Sequence, residues 1–451
     1  MEQQSNQMLA GLSRKLAEFT VNLSLDKIPQ RALDNAKIAI LDCFGVAVLA
    51  ASQEVGEKLV RFAGKNAAPG SCVIWGTSLV SSARDAALLN GTLAHGLDYD
   101  DRNHASTYSL AASIAAAESS NVTGSKSLEA FIVGREVRAA LDTLFSKRSS
   151  GIGPGAKGWH SNGILGPIAS ACAASKVLRL DVGQTLAAIG LAAGSCGALT
   201  RDGGTMAKPF RVGHAAATGI TCALLAKEGF TSDDTALEGR YGLLEALGPV
   251  PEEVLMSLGT NLGVEFELER EIRIKPFASC TASHAAVEAM LRLTAKHSLR
   301  PADVELIETD LKPYPLVRHE PRRGFEGRFS MPFCLAHVLA YGRLLPNDFT
   351  DERLKEPQIQ ELMDSTRHLP DSSFLTVVLK NGERLTEAIT TPGDLKGWGE
   401  TVAKFKNSTG KLLSEDQQCT IIQSIQRIHD LSAIRTVTAS LQLRADYPNS
   451  A

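Results

Sequence analysis

Four short motifs hold most of the groups able to do chemistry. They are Leu97-Asp98-Tyr99-Asp100-Asp101, Lys157-Gly158-Trp159-His160-Ser161, Gly203-Gly204-Thr205-Met206-Ala207-Lys208-Pro209 and Ile274-Lys275-Pro276-Phe277. Together they offer an acidic cluster, an imidazole and two ammonium groups, a set suited to a small anionic substrate that gains or loses a proton. Asp98, Asp100 and Asp101 follow a helix expected over Arg84 to Leu97. Acids so closely spaced fit a divalent-cation site, a general base or a solvated helix end. The helix dipole disfavours acids at that end, and no second acid cluster completes a ligand set, so no metal is expected. Arg102, Asn103, His104 and Tyr108 continue the loop. A guanidinium there can grip a carboxylate, although a surface loop would use the same residues.

The other motifs carry the same double reading. His160 precedes an apolar helix, a placement that keeps imidazole neutral and fit to act as base or donor; a capping or packing role is the plainer one. Lys208 lies in a flexible loop ahead of a small-residue helix. That suits anion binding or a solvated basic loop, and the glycine spacing is not that of a P-loop. Lys275 runs into Cys280 and Thr281 near the start of a helix expected over Ser283 to Thr294. A lysine and a helix N-terminus can together hold a carboxylate. Cys280 beside His284 has the types of a nucleophile pair, but a loop or buried thiol is expected.

Elements must bring these motifs together. Helical periodicity dominates from Gln7 to Val250, with Ala/Gly-rich helices over Ser161 to Leu178 and Gly213 to Lys227. Near residue 270 the pattern changes. Strands are expected at Arg270 to Ile274, Val304 to Lys312, Phe374 to Leu379 and Arg384 to Thr390, the last two joined through Asn381-Gly382. Helices fit between, at Pro332 to Leu344 and Gln358 to Arg367. After Pro392-Gly393 the helical period returns, through Trp398 to Lys406 and Gln417 to Ile428. A mainly α fold follows: a helical domain from 1–270 and 400–451, with an inserted α+β domain at 271–399.

A chain of 451 residues is too long for one ordinary core. With 44% hydrophobic and 22% charged residues and a net charge of −3, neither nucleic acid nor an anionic membrane is expected as a partner. The eight cysteines are scattered without Cys-x-x-Cys spacing, which argues for reduced core thiols in a reducing compartment. Met1 to Ala10 lacks the features of a signal or transit peptide, so a cytoplasmic location is expected. The apolar runs Ile38 to Ala51 and Leu186 to Thr200 read as buried helices, not membrane spans.

The order and spacing of the motifs resemble the MmgE/PrpD family, which includes 2-methylcitrate dehydratases, cis-aconitate decarboxylases and an iminodisuccinate epimerase. The likeness runs from Ile40-Leu41-Asp42 through the Asn90 to Asp101 segment, Gly158-Trp159-His160 and Met206 to Pro209. It continues through Glu238 to Gly242, Ile274 to Phe277 and Arg328 to Met331, ending near Thr391 to Asp394. The resemblance implies a homodimer with a site in the cleft between the domains and no obligatory organic cofactor. It also implies a lyase acting on a small di- or tricarboxylic acid by dehydration or decarboxylation. Asp98, His160, Lys208 and Lys275 carry over as site residues. An epimerase or isomerase uses the same carbanion chemistry, and a non-catalytic carboxylate-binding relative is a third reading. Where relatives carry a His soon after the Asp-rich motif, this chain has Tyr108, and Arg102 replaces a usual Thr. Tyr108 is therefore expected to face the cleft as a catalytic donor. Arg102, His104 and Thr281 are expected to bind substrate.

Overall fold

The computed structural model describes residues 11–443 except 147–150, 152, 271 and 312–318. It is 61% helical and 7% strand. The helical part begins with α1 (Leu12–Asn22), α2 (Gln30–Ala51) and α3 (Glu54–Asn66). A two-residue antiparallel ladder, β1 (Cys72–Val73) with β2 (Val80–Ser81), leads into α4 (Ala83–Ala94). Then come α5 (Ala105–Ser120), α6 (Gly124–Leu141), α7 (Ser161–Leu178), α8 (Val182–Gly194) and α9 (Ala207–Lys227). Side chains satisfy orphan N–H groups at several starts: Ser82 for α4, Thr123 for α6 and an Asp181/Gln184 capping box for α8.

Small residues set how closely these helices approach. A Cβ on Gly213 would stand 2.0 Å from the Leu88 carbonyl oxygen, and one on Gly219 would stand 2.3 Å from Ser170 Cβ. The backbone of α9 is thereby seated directly on α4 and α7. That seating brings the first turn of α9, with Lys208, over the loop that leaves α4. Lys208 thus lies inside a helix and not in the flexible loop expected, because α9 starts at Ala207.

The α+β part contains α10 (Thr281–His297), β3 (Val304–Thr309), α11 (Met331–Tyr341), α12 (Pro357–Asp364), β4 (Thr366–His368), β5 (Phe374–Leu379) and β6 (Arg384–Ala388). The sheet order is β4-β3-β5-β6, with β3 parallel to β4 and antiparallel to β5. Gly382, at φ 86°, closes the β5–β6 hairpin at the Asn381-Gly382 signal. The helix expected over Gln358 to Arg367 stops at Asp364, because residues 366–368 pair with β3. The strand expected over Arg270 to Ile274 reduces to single bridges from Ile274 to Asp101 and Leu395; residue 271 lies outside the described residues. Residue 312, expected to end a strand, lies outside them too; β3 ends at Thr309.

Two helices, α13 (Trp398–Thr409) and α14 (Glu415–Gln426), then return to α2. One buried apolar cluster joins residues between 12 and 274 with Phe325 and residues between 405 and 443. A second lies between 278 and 385. The structure is therefore a large helical domain built from both chain ends, with a smaller α+β insert. A buried ion pair, Lys404 Nζ to Asp42 at 2.7 Å, ties α13 to α2. No single helix among the described residues is long and apolar enough to cross a membrane. The pair α2 and α3 passes on length and composition but bends by 80°, and α2 is buried among its neighbours.

Candidate active site

The site is built on the turn that leaves α4. The helix ends at Ala94, and Asp98 takes the left-handed conformation at φ 50°. Such a turn exposes its carbonyls, and burial makes unpaired ones costly. Three buried cations from distant segments satisfy them in succession. Arg328 Nη1 donates to Leu97 O at 3.4 Å, Lys275 Nζ to Asp98 O at 2.9 Å and Lys404 Nζ to Tyr99 O at 2.5 Å. Burial lowers the Arg328 guanidinium to about 10, so it stays charged at neutral pH.

The turn sends its three acids in different directions. Asp101 accepts from Arg135 Nη1 at 2.5 Å and from Ser106 N at 3.3 Å, which caps the start of α5. Asp100 is fully buried and accepts from two imidazoles, His95 Nδ1 at 3.0 Å and His104 Nδ1 at 2.9 Å. Burial would raise the Asp100 carboxyl, but these imidazoles hold it well below the usual carboxylate range. Asp98 Oδ1 meets Lys208 Nζ at 2.5 Å and Lys275 Nζ at 3.1 Å. Burial again opposes ionisation, and the two ammoniums overcome it, so Asp98 is an anion at neutral pH.

Asp98, Arg102, His104, His160, Lys208, Lys275 and Thr281 all line one cavity of about 290 Å³, which both parts of the fold enclose. His160 caps α7: its Nδ1 accepts the Asn162 N–H at 3.3 Å. That bond leaves the ring proton on Nε2. Burial, with Arg211 and Lys208 nearby, holds the His160 pKa well below its ordinary value, so the ring is neutral. Lys275 is fully buried, and its ammonium is occupied by Asp98 and by Ser279 O at 3.3 Å. Lys208 also lies 5.0 Å from the centre of the Phe329 ring. Arg102 is paired with Asp394 at 2.7 Å, which ties the loop to the far end of the insert. Cys280 lines the cavity with its thiol pushed up by burial, while His284 turns to Ser279 O at 3.1 Å.

Tyr108 is the exception. It is 0% exposed, packs beside Gly166 and does not line this cavity. Burial raises its phenol, opposed by the charges of Arg138 and Arg135. Arg138 itself lines the cavity and pairs with Asp142 at 2.6 Å. The reason is position along α5: His104 is the left-handed N-cap at the helix's open end, whereas Tyr108 lies a turn inside it, where α5 packs against α7. His104, expected to bind substrate or to stand in for the usual loop His, holds the cavity wall instead.

His95, Asp100, Arg138 and Arg328 escaped the sequence reading as site residues. Asp100 stands within the acidic motif and His95 two residues before it; Arg138 sits in a helix with no local signal. Among the described residues, His95, Asp98, Asp100 and His104 are the one group whose ligand atoms converge as a metal site would require. Their donors fit a metal poorly. Asp100 and both Nδ1 atoms satisfy one another, and a divalent cation would face two ammoniums already seated on Asp98.

A helical body from both chain ends, an α+β insert and a lysine-clamped aspartate on a cavity between them define a two-domain architecture. The chain belongs to the MmgE/PrpD family: the family's N-terminal domain model matches residues 14–253 and its C-terminal domain model residues 277–430. The cis-aconitate decarboxylase of Mus musculus is 26% identical over 473 aligned positions, covering 96% of this chain and 94% of that protein. That of Homo sapiens is 25% identical, covering 96% and 95%. That of Aspergillus terreus is 25% identical, covering 94% and 95%.

Proposed function

We propose that this protein is a cofactor-independent lyase that cleaves a C–C or C–O bond of a small di- or tricarboxylic acid through a carbanion. The helical body of 1–270 and 400–451 and the insert of 271–399 would close over the substrate. The observation that carries the reading is the Lys208–Asp98–Lys275 cluster on the wall of a small interdomain cavity. A carbanion beside a carboxylate spreads its charge onto oxygen, and fixed cations and N–H donors stabilise that charge where water is excluded. Lys208 would bind the carboxylate that bears the charge. Neutral His160 would donate its Nε2–H to the same oxygen. Asp98, held as an anion, would position Lys208 and not serve as the base.

An epimerase is the second reading. It is favoured by two imidazoles, His104 and His160, on one cavity, since inversion needs a proton removed from one face and returned to the other. Proton NMR of cis-aconitate and of saturated di- and tricarboxylic acids incubated in D₂O separates the readings. Loss of CO₂ or water supports the lyase, exchange with a new isomer supports the epimerase, and unchanged acids oppose both.

A further inference from the structure

Asp100 grips two imidazoles at once, and this dictates where their protons lie. An ionised carboxylate only accepts hydrogen bonds. Both Nδ1 atoms must therefore donate to it, at 3.0 Å from His95 and 2.9 Å from His104. Each Nε2 is then left to take or give the second proton. The two rings meet edge to face with centres 4.2 Å apart. His95 is sealed, with 0% side-chain exposure, and burial lowers its pKa to about 4. His104 differs: its side chain is 14% exposed, and it lines the cavity with Nε2 3.7 Å from Asp98 Oδ1.

We propose that His104 is the proton-transfer residue of this cavity, presented by Asp100 and replacing the donor that Tyr108 cannot supply from the core. The inference rests on the lyase reading and names the group that completes it. When the C–CO₂ bond breaks, its electron pair stays on carbon, delocalised toward the neighbouring carboxylate held by Lys208. CO₂ leaves. The carbon takes the Nε2 proton of the doubly protonated His104 ring, which leaves the neutral ring with its proton on Nδ1, and Nε2 recovers a proton from water at its exposed edge. Asp100 is a positioning residue, fixing the ring and the Nδ1 proton throughout. Several charged or titratable groups face His104. They are Asp98 and Asp100 on its own loop, His95 at the end of α4, His160 at the start of α7 and Lys208 at the start of α9; Arg102 and Arg138 also line the cavity.

The residue's own backbone selects the variant. His104 has φ 59°, a conformation asparagine tolerates well, so His104→Asn removes the imidazole with little strain. On the acid that the parent turns over, His104→Asn is expected to lower kcat on the order of 10²–10⁴-fold while KM changes only severalfold. Asp100→Asn is expected to lower kcat less and to displace the alkaline limb of the kcat–pH profile, the limb on which a proton donor is lost. His104→Gln, checked for a parental melting curve, guards against a folding defect in the first variant. Nitrogen-15 NMR of histidine-labelled full-length protein is expected to show Nδ1 of His104 protonated whether or not Nε2 carries a proton, a preference lost in Asp100→Asn. A folded His104→Asn with parental kcat overturns the role of His104 and leaves the lyase reading standing. A parent inactive on cis-aconitate and the saturated acids overturns the lyase reading and this inference with it.

Discussion

The Asp98 carboxylate shows how a single side chain can be held ionised in a buried place. Two ammoniums share its Oδ1, and Lys275 also holds its backbone oxygen. Asp98→Asn keeps the left-handed backbone but leaves two buried cations without an anion. It is expected to cost about 3–5 kcal/mol of stability, read by urea unfolding; a loss below 1 kcal/mol would show that the cluster is held by something else. Arg102 poses a different question, because its guanidinium is already engaged with Asp394 at 2.7 Å. A substrate carboxylate must share or displace that partner. Arg102→Ala is expected mainly to raise KM with kcat little changed, as loss of uniform binding would. Tyr108→Phe, which alters a core position behind Arg138, is expected to affect kcat far less than His104→Asn.

Helix α5 illustrates how an element takes its chemistry from packing. Its C-terminal turn carries Glu118, which accepts from the Val73 N–H at 3.1 Å and from Thr438 Oγ1 at 2.5 Å. The acid joins α5 to β1 and to the end of the chain. Burial outweighs these bonds and raises its pKa from 4.5 to about 7. Glu136 on α6 is raised to about 7 for the same reason, though it accepts the N–H groups of Glu267 and Leu268. For an acid raised in this way, the folded state binds the extra proton. The stabilisation is whole below about pH 4.5 and is lost as pH rises through about 7. Glu118 alone accounts for about 3 kcal/mol across that window. The melting temperature is expected to fall between pH 5 and 8, and Glu118→Gln to flatten that slope. Gln can offer its carbonyl to Val73 and its amide to the Thr438 hydroxyl. An unchanged slope in this variant would place the pH dependence elsewhere.

At the scale of the molecule, both chain ends contribute to one core. A Cβ on Gly45 of α2 would stand 3.0 Å from the Phe405 ring on α13, and Lys404 pairs with Asp42 beside it. A chain ended at residue 397 would lose the cover of α2 and leave Asp42 buried without a cation. It is expected to lack a cooperative unfolding transition, whereas an intact transition would show that the first part folds by itself. The homodimer implied by the family resemblance is carried forward as a proposal. Light scattering is expected to give twice the chain mass, and a chain mass at micromolar concentration would oppose it.

The sequence by itself determined the helical character of the first part, the Asn381-Gly382 hairpin and the motif order that marks the family. These depend on local periodicity, turn chemistry and spacing, which need no partner to be read. It also placed Asp98, His160, Lys208 and Lys275 among the groups able to do chemistry. Their division of labour was not legible there. Lys275 has the composition of a substrate cation, yet the fold occupies its ammonium with Asp98 and Ser279. Tyr108 and His104 lie on one short segment, and only the tertiary structure, which starts α5 after His104 and packs its first turns against α7, leaves His104 at the cavity and Tyr108 in the core. The three cations that hold residues 97–99 come from segments up to 305 residues away. Hydrogen bonding and burial act between atoms brought near in space, so the role of a charged residue was decided by which distant groups the tertiary structure set against it.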